Sequence, residues 1–410
     1  MVIFFKTRMK IFQGVIAPLI TCRFRFSALI QNMRIGIPRE IKEHEYRVAL
    51  TPRAVVELAA AGHDVVLETG AGQGSGASDQ DYVRAGARIA SDAAEVYGDG
   101  GLIIKVKEPL PGEFRFIGPE HVVFTFFHFA SDPVLVQAMK KSGAACVAYE
   151  TMRTADGRLP LLEPMSEIAG RLAVQEGARH LETHAGGSGI LMGGVSGAAS
   201  ARVLVIGGGI VGTAAARVAL GMGGQVLVLD VNANRLTELE HELPGVETRL
   251  SESDTIGSII GEFDLVIGAV LVQGARTPRL ISRSMLKSMR PGSVIVDVGI
   301  DQGGCLETGR PTSWKEPVYK VDGILHFCVP NLPGAVPRTS APALSARVLP
   351  WARVLAKSGW REATLSRREI ASGLNIARGE ITHGAVARAF AESPQGKDMT
   401  ALIQKSRISA

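Results

Sequence analysis

Short apolar runs alternate with longer segments of helical spacing along most of the chain. In the first part, runs rich in β-branched and aliphatic residues are typical of buried strands. Those predicted strands are Arg34 to Ile37, Asp64 to Leu67, Leu102 to Val106, Val122 to Phe127 and Ala145 to Tyr149. Helices are predicted at Thr51 to Gly62 and Asp132 to Ser142. Strands that alternate with helices predict an α/β domain around a parallel sheet.

The same pattern resumes after Ser166 to Leu181, an amphipathic segment that we expect to be a helix linking two domains. Further strands are predicted at Val203 to Ile206, Gln225 to Leu229, Leu265 to Val270, Ser293 to Val298 and, as the last strand, Leu325 to Val329. Further helices are predicted at Thr213 to Met222, Asn234 to Glu242 and Ser282 to Met289. Ala343 to Gly359 has helical spacing, and we expect it to pack on the first domain because the second is already complete.

A glycine motif follows the first strand of this second part. Gly207, Gly209 and Gly212 follow the strand and open a helix, in the spacing GxGxxG. Gly207 permits a tight turn, Gly209 lets a pyrophosphate approach the backbone, and Gly212 lets the helix pack closely. The helix N-terminus favours phosphate groups. Asp230 ends the next strand, where a carboxylate binds a ribose 2′-hydroxyl and repels a 2′-phosphate. The alternative is an ordinary βαβ turn, but the whole setting predicts a dinucleotide site that prefers NAD.

Composition agrees with two globular domains and excludes some partners. The chain has 410 residues, 46% hydrophobic and 21% charged. Much of the net charge of +5 lies before Glu40, where no acidic residue occurs, and the rest of the chain is close to neutral, so we expect no nucleic-acid surface. The apolar run Ile11 to Ile20 is too short to span a bilayer, so we also expect no membrane span. The four cysteines show no CxxC and no paired zinc spacing, which predicts a metal-free protein in a reducing compartment, the cytoplasm.

The N-terminal residues 1–32 are basic and apolar without periodicity. One interpretation is a targeting segment. The favoured one is an extra, disordered segment upstream of a natural start at Met33. We therefore expect a substrate domain of residues 33–160 and 339–410 and a dinucleotide-binding domain of residues 161–338. The fold class is α/β, with two Rossmann-like doubly wound domains and the active site in the cleft between them.

Four ionisable residues follow predicted strands, at the positions where open α/β sheets bind ligands. They are Arg47, Lys107 and His128 in the first domain and Asp301 in the second. A cleft between the domains would bring them together beside a nicotinamide. Each has a structural alternative: a surface ion pair with a neighbouring glutamate for Arg47, a solvated strand end for Lys107, a core histidine for His128 and a turn acid for Asp301.

Several segments together resemble the alanine dehydrogenase family. They are, in chain order, MRIGIPRE, EYRVALTP, KVKEP, FTFFH, YETM, PLLEPMSEIAGRLAVQ, LMGGV, GGGIVG, DLVIGAVLVQGA, DVGIDQGG and NLPGAVPRTS. The resemblance covers about residues 33 to 362. It implies reversible oxidative deamination of L-alanine, with NAD and water, to pyruvate, ammonium and NADH, by an NAD-dependent oxidoreductase of alanine catabolism that assembles as a homohexamer.

The resemblance also implies roles for individual residues. Arg47 of EYRVALTP and Lys107 of KVKEP would bind the substrate carboxylate and carbonyl. His128 of FTFFH would be the general acid and base, and Asp301 of GIDQGG a second proton-handling group. The residues implied to line the cofactor site are Ser166, Gly207, Gly209, Ile210, Val211, Gly212, Asp230, Arg235, Ser251, Val270, Leu271, Val298, Gly299, Ile300, Asp301, Arg310, Val329, Pro330, Asn331 and Leu332.

Two other functions stay open at this point. The NAD-binding subunits of proton-pumping transhydrogenase share the overall plan, although they are less like FTFFH and DQGG. A non-catalytic NAD-binding protein is the third hypothesis, because Pro330, Pro342 and the C-terminal tail are unusual for the family. The joint presence of Arg47, Lys107 and His128 argues against it.

Overall fold

The computed structural model describes residues 32–252, 254–270 and 277–390. These residues form fifteen strands: β1 Arg34–Ile37, β2 Asp64–Glu68, β3 Arg88–Ala90, β4 Gly101–Ile104, β5 His121–Thr125, β6 Ala145–Ala148, β7 Arg202–Ile206, β8 Gln225–Asp230, β9 Glu247–Leu250, β10 Leu265–Gly268, β11 Val294–Asp297, β12 Val318–Val321, β13 Ile324–Phe327, β14 Leu374–Ala377 and β15 Glu380–Ile381. They form twelve α-helices: α1 Pro52–Ala60, α2 Asp79–Arg84, α3 Ala93–Tyr97, α4 Pro133–Ser142, α5 Glu163–His180, α6 Ile210–Gly221, α7 Ala233–Glu242, α8 Thr255–Ile259, α9 Arg283–Leu286, α10 Pro337–Ser366, α11 Arg368–Gly373 and α12 Gly384–Ala389. The predicted N-terminal segment, apart from Asn32, and the candidate cofactor residue Leu271 lie outside the described residues.

The strands form two sheets that share one topology. The first sheet has the order β15-β14-β6-β5-β4-β1-β2-β3, and the second has the order β12-β13-β11-β10-β7-β8-β9. Strands β1 to β6 are parallel, as are β7 to β11 with β13, whereas β12, β14 and β15 pair antiparallel at the edges. In each sheet the strand order reverses beside the first strand of that half, between β1 and β4 and between β7 and β10. The predicted α/β class with two doubly wound sheets is therefore confirmed.

Apolar side chains cover both faces of each sheet. Along β7, for example, Val203 and Val205 lie in one buried cluster, and Leu204 and Ile206 lie in another on the opposite face. This explains why the strands are continuous apolar runs instead of alternating ones. Helix α5 joins the two halves, because its Met165 and Ile168 belong to the core of the first sheet while its later apolar residues, from Ala169 onward, belong to the core of the second.

Two expectations about the C-terminal part are wrong. Leu325 to Val329 is not the last strand, because β14 and β15 follow and extend the first sheet beyond β6. Their short runs lack periodicity, and they become strands only because β14 pairs with β6 and β15 pairs with β14. Helix α10 is also longer than Ala343 to Gly359, and Gly359 interrupts it with φ of +69°. Its apolar side chains, among them Leu344, lie in the core of the first sheet. The exact domain boundaries stay a prediction.

Several elements end earlier than predicted. Strand β4 ends before Val106, whose N–H donates to the carboxylate of Glu40 (2.6 Å). Strand β5 ends before Phe127, whose N–H donates to Glu150 (3.2 Å). Helix α9 covers only Arg283–Leu286 of the predicted segment. At the two strand ends, the carboxylates of Glu40 and Glu150 accept backbone N–H groups in place of a neighbouring strand. The chain leaves the sheet there and continues as a loop at its edge.

The two halves meet through a buried polar group that we call the Glu45 junction, formed by Glu45, Arg47 and Asn331. Arg47 Nε donates to Glu45 Oε1 (2.6 Å), and Arg47 Nη2 donates to Glu45 Oε2 and to Asn331 Oδ1 (2.9 Å). Asn331 Nδ2 donates to Glu45 Oε2 (3.0 Å). Glu45 and Arg47 follow β1, whereas Asn331 follows β13 of the other sheet. The junction therefore fixes one half against the other.

The junction controls the ionisation of Glu45. Burial alone would raise the pKa of this carboxyl group, but the hydrogen bonds and positive charge of Arg47 lower it from 4.5 to about 2. Because the pKa is lower in the folded chain than in the unfolded chain, ionised Glu45 stabilises the fold above pH 4.5 and loses this effect as the pH falls toward 2.

We predict that Glu45→Gln lowers the free energy of unfolding at neutral pH, because it removes a buried charge-assisted pair. The difference from wild type is expected to be largest above about pH 5 and to shrink as the pH falls, since wild-type Glu45 then becomes neutral too. Urea denaturation of the wild type and of Glu45→Gln at a series of pH values measures this difference in the free energy of unfolding. Glu57→Gln is the control, because Glu57 pairs with Arg353 at the exposed surface. A pH-independent difference for Glu45→Gln contradicts the prediction.

Candidate active site

Loops at the carboxyl ends of the parallel strands of both sheets face one cavity. Arg47 follows β1, Lys107 follows β4 and His128 follows β5, so all three lie at or beside the point where the first strand order reverses. Asp301 follows β11 and Asn331 follows β13 in the second sheet. The cavity has a volume of about 140 Å³, several times the ~30 Å³ that one water occupies in the liquid.

The structure brings many of the sequence-predicted residues together at this cavity. Those that line it are Arg47, Lys107, His128, Ser166, Val211, Val270, Val298, Gly299, Asp301, Asn331 and Leu332. Further lining residues were missed from the sequence: Phe126, Leu162, Met165, Ala169, Ala269, Gln302 and Pro333. Most of the missed side chains are apolar, and nothing in their local pattern distinguishes them from core residues.

Lys107 brings an uncompensated positive charge to the cavity. Its side chain is 8% exposed, and among the described residues no carboxylate lies within salt-bridge distance of its ammonium group. Burial lowers the pKa of Lys107, and the charges of Arg47 and Lys42 lower it further, against the opposing charge of Asp301. Arg47, by contrast, is neutralised by Glu45. A small anion entering the cavity would relieve the repulsion around Lys107.

His128 has an unusual backbone and is held by Glu150. Its φ and ψ are +54° and +36°, a left-handed conformation that is rare for a residue with a side chain. The N–H groups of His128 (2.7 Å) and Phe127 (3.2 Å) donate to the half-buried carboxylate of Glu150. The imidazole lies parallel to the ring of Phe126, with the centroids 5.9 Å apart. These contacts direct the imidazole toward the cavity.

The electrostatic surroundings keep His128 neutral. Although His128 is exposed, desolvation by the protein atoms around its ring, together with the charges of Lys107, Lys42 and Arg47, lowers the pKa of His128 to about 3. Its imidazole is therefore neutral at neutral pH but holds a proton weakly. A bound carboxylate that offsets the charges of Lys107 and Arg47 would raise the pKa of His128 and strengthen it as a base. Burial has the opposite effect on Glu150 and raises the pKa of that carboxyl group to about 7, although its backbone hydrogen bonds oppose the shift.

Asp301 faces the cavity from the second sheet. Its side chain is exposed, and Oδ2 accepts a hydrogen bond from the N–H of Asn331 (3.3 Å). Asn331 also has a left-handed backbone, with φ of +55°. This conformation turns the loop after β13 so that the side-chain amide of Asn331 reaches the Glu45 junction, while the backbone N–H of Asn331 reaches the Asp301 carboxylate. One residue thus connects the junction with the opposite wall of the cavity.

The glycine turn beyond β7 has the geometry that a dinucleotide needs. Gly207 has φ of +102°, and a Cβ at Gly212 would lie 1.8 Å from the Gly207 carbonyl oxygen. A Cβ at Gly209 would meet nothing within 4 Å, so open space lies beside the backbone there. Gly209 precedes α6, whose first N–H groups receive no side-chain cap. The turn can therefore receive a phosphate group at the N-terminus of α6.

Asp230 and Arg235 support this turn. Asp230 Oδ2 accepts the N–H of Gly208 (2.6 Å), and Arg235 Nε donates to the Gly208 carbonyl oxygen (2.8 Å). Arg235 Nη2 also donates to Thr213 Oγ1 in α6 (2.7 Å). A carboxylate oxygen can accept more than one hydrogen bond, so Asp230 can also bind a hydroxyl.

Other candidate cofactor residues lie away from the first cavity. Ser251 lines a second cavity beyond the ends of β8 and β9, together with Val231 and Arg279. Ile210 is exposed at the start of α6, and Pro330 is half-buried. Ile300 and Val329 are buried core residues, so only their backbone could contact a ligand. Arg310 is exposed and lies over the ring of Tyr319, with its guanidinium carbon 4.0 Å from the ring centroid.

Some polar residues of the site could not be assigned from the sequence. Glu45 was considered only as a surface partner of Arg47, yet the pair is buried. Glu150 lies in the quoted YETM motif, but only the fold brings it to His128. Within the described residues, no group of three acidic, histidine or cysteine side chains could hold a metal ion, and no helix is long and apolar enough to cross a membrane.

Two family models match the chain. The model described as "Alanine dehydrogenase/PNT, N-terminal domain" matches residues 36–169, and "Alanine dehydrogenase/PNT, C-terminal domain" matches residues 173–384. The alanine dehydrogenase of Halomonas elongata is 51% identical over 359 residues, which are 87% of this chain and 97% of that protein.

Solved structures agree with these matches. A structure of L-alanine dehydrogenase superposes with a TM-score of 0.85 at 46% identity and covers 88% of this chain and 99% of its own. A transhydrogenase from Sinorhizobium meliloti superposes with a TM-score of 0.72 at 26% identity and covers 86% of this chain and 99% of its own. The relatives named alanine dehydrogenase are thus clearly more similar than the transhydrogenase. The chain belongs to the alanine dehydrogenase/PNT family.

Proposed function

We propose that this protein is an NAD-dependent L-alanine dehydrogenase, which interconverts L-alanine and water with pyruvate and ammonium. The observation that carries the proposal is the convergence of Arg47, Lys107 and His128 from one sheet with Asp301 from the other on one small cavity. The cavity adjoins the glycine turn through Val211. Its cationic wall suits a small carboxylate, and its proton acceptor suits addition of water to a carbon centre.

The glycine turn and its neighbours fit a pyridine dinucleotide. The α6 N-terminus with the open space at Gly209 would hold the pyrophosphate, and Asp230 would bind the adenosine ribose. Ser251 would lie near the adenine end, and Val298, Gly299 and the neighbouring loop residues near the nicotinamide. The negative charge of Asp230 supports NAD over NADP. When bound, the nicotinamide accepts the hydride that leaves the alanine Cα.

Lys107 and Arg47 would bind the substrate. The Nε and Nη2 groups of Arg47 are engaged in the Glu45 junction, which leaves Nη1, beside Met165 Sδ (3.1 Å), toward the cavity. The ammonium group of Lys107, by contrast, makes no hydrogen bond to a described side chain and is available to a substrate. These two cations would hold the carboxylate and stabilise negative charge on the carbonyl or alkoxide oxygen.

His128 would move the protons. Loss of hydride leaves an imine carbon on the substrate, to which water adds. A C–O bond forms, and neutral His128 accepts the water proton. The resulting carbinolamine loses its hydroxyl proton as the C–N bond breaks, which gives pyruvate. The leaving amine takes up protons and departs as ammonium. Asp301 would be the second group that accepts or returns a proton on the opposite side of the cavity.

The domain division, the homohexamer and the cytoplasmic location remain part of this proposal. Similarity over most of the chain to relatives named alanine dehydrogenase supports the proposal that this protein shares their domain organisation, assembly and location. Arg310 is assigned a supporting role near the cofactor on the resemblance alone.

The decisive assay follows NADH absorbance with the purified protein. We expect NADH oxidation that requires both pyruvate and ammonium and that is absent when either is omitted. A panel of larger 2-oxo acids tests whether the small cavity restricts the substrate. Folded protein that binds NADH but shows no turnover with pyruvate and ammonium would falsify the proposal and favour a transhydrogenase-type or non-catalytic role.

We predict that His128→Asn lowers kcat about 10²- to 10⁴-fold, because the variant has no group to accept the proton of water. The dissociation constant of NADH, measured by fluorescence, should stay close to the wild-type value. His184→Asn is the control, since the His184 side chain is 74% exposed and does not line the cavity. Wild-type turnover by the His128 variant contradicts the assigned role.

A second prediction concerns the choice of cofactor. Asp230→Asn keeps an oxygen that can accept the Gly208 N–H but removes the negative charge, so the ratio of KM for NADPH to KM for NADH should fall by about tenfold. Asp254→Asn, an exposed acid at the start of α8, should leave the ratio unchanged. The role of Asp230 is wrong if both variants keep the wild-type preference.

A further inference from the structure

The position of Lys107 is set by its backbone. No described side chain binds its ammonium group, so the loop after β4 must place it. Glu40 Oε1 accepts the N–H of Val106 (2.6 Å) and the N–H of Lys107 (3.3 Å). The Lys107 carbonyl oxygen accepts a hydrogen bond from Thr125 Oγ1 (2.8 Å). Both polar groups of the Lys107 backbone are therefore fixed by side chains of neighbouring segments.

Glu40 is in turn held by a buried lysine. Lys105 Nζ lies 3.2 Å from Glu40 Oε2, and the exposed fractions of the two side chains are 0% and 3%. The same ammonium group donates to Glu113 Oε1 (2.8 Å). Burial alone would lower the pKa of Lys105, but the charges of Glu40 and Glu113 raise it, so Lys105 stays positively charged. A buried cluster of this kind has defined geometry, because each charge requires its partners.

The two carboxylates on Lys105 act on different parts of the chain. Glu40 binds the residues that include Lys107. Glu113 instead accepts hydrogen bonds from Tyr97 Oη (2.9 Å) and the Leu110 N–H (2.8 Å), beyond the Lys107 segment. They are almost equally buried. Glu113 is therefore a matched reference for the loss of a buried carboxylate that does not touch Lys107.

We propose that Glu40 is a positioning residue that holds the Lys107 ammonium group at the substrate by binding the backbone N–H groups of Val106 and Lys107. The inference rests on the proposed function, because it assumes that Lys107 binds the 2-oxo acid. It assigns a role in substrate affinity to a side chain that does not line the cavity. Glu40 should therefore affect pyruvate binding and leave NADH binding unchanged.

The test compares Glu40→Asp with Glu113→Asp in the full chain. Each variant keeps the charge beside Lys105 but shortens the side chain by one methylene, which withdraws the carboxylate from its backbone N–H partner. We measure KM and kcat for pyruvate at saturating NADH and ammonium. Calorimetry of pyruvate binding to the enzyme–NADH complex without ammonium gives affinity without turnover. Melting temperatures report any general loss of stability.

We expect Glu40→Asp to raise both the KM and the dissociation constant of pyruvate roughly tenfold, since a small displacement of a binding group has a large effect. The dissociation constant of NADH should not change, and Glu113→Asp should bind pyruvate like the wild type. Thr125→Val provides a second test: it removes the hydroxyl that donates to the Lys107 carbonyl oxygen (2.8 Å) and leaves both carboxylate partners of Lys105 in place, so it should also weaken pyruvate binding and leave NADH binding unchanged.

Wild-type pyruvate affinity in Glu40→Asp overturns the inference. An equal loss of affinity in Glu113→Asp overturns it as well, because a general loss of stability then explains the effect. Wild-type affinity in Thr125→Val also contradicts it, because the Lys107 backbone then does not control the position of the ammonium group. These outcomes require an active wild-type enzyme. A wild-type protein that neither binds nor turns over pyruvate disproves the proposed function, and the inference falls with it.

Discussion

Parallel strands deliver their carboxyl ends to one edge of a sheet, and in this protein two such edges face each other. The ionisable groups of the cavity depend on that constraint. Arg47, Lys107 and His128 are far apart in sequence, yet each follows a strand of the first sheet. Asp301 and Asn331 reach the same space from the second sheet. The Glu45 junction fixes the two edges against each other at the point where the charges gather.

The cavity separates three cationic or potentially cationic groups by giving each a different environment. Arg47 is neutralised by an ionised carboxylate, Lys107 is left without one among the described residues, and His128 is kept neutral by desolvation and by its positive neighbours. Lys107 thus carries a charge that no described carboxylate offsets, and Arg47 Nη1 and the His128 imidazole lie beside it at the cavity. Here burial and pairing assign them distinct states.

The sequence predicted the elements that have strong local signals. Apolar runs followed by turns located most of the strands that carry the site, and the glycine motif with Asp230 located the turn before α6. Strands β14 and β15 were missed because they are short and become strands only when β14 pairs with β6 and β15 pairs with β14. The buried pair of Glu45 and Arg47 is completed by Asn331, which is 286 residues from Glu45 in the sequence, and no local pattern contains that contact. Apolar cavity residues such as Phe126 and Met165 look like core residues in sequence. They line the cavity only because the fold leaves that part of the core surface uncovered by other elements.

The pairing of β14 with β6 has a consequence for the order of folding. During synthesis β6 appears early, but its free edge stays unpaired until residues near 374–377 have been made. The intervening residues contain every strand of the second sheet. The second sheet can therefore close first, while the sheet that carries Lys107 and His128 keeps an open edge that invites wrong pairing. The half that the ribosome begins first is the half that is finished last.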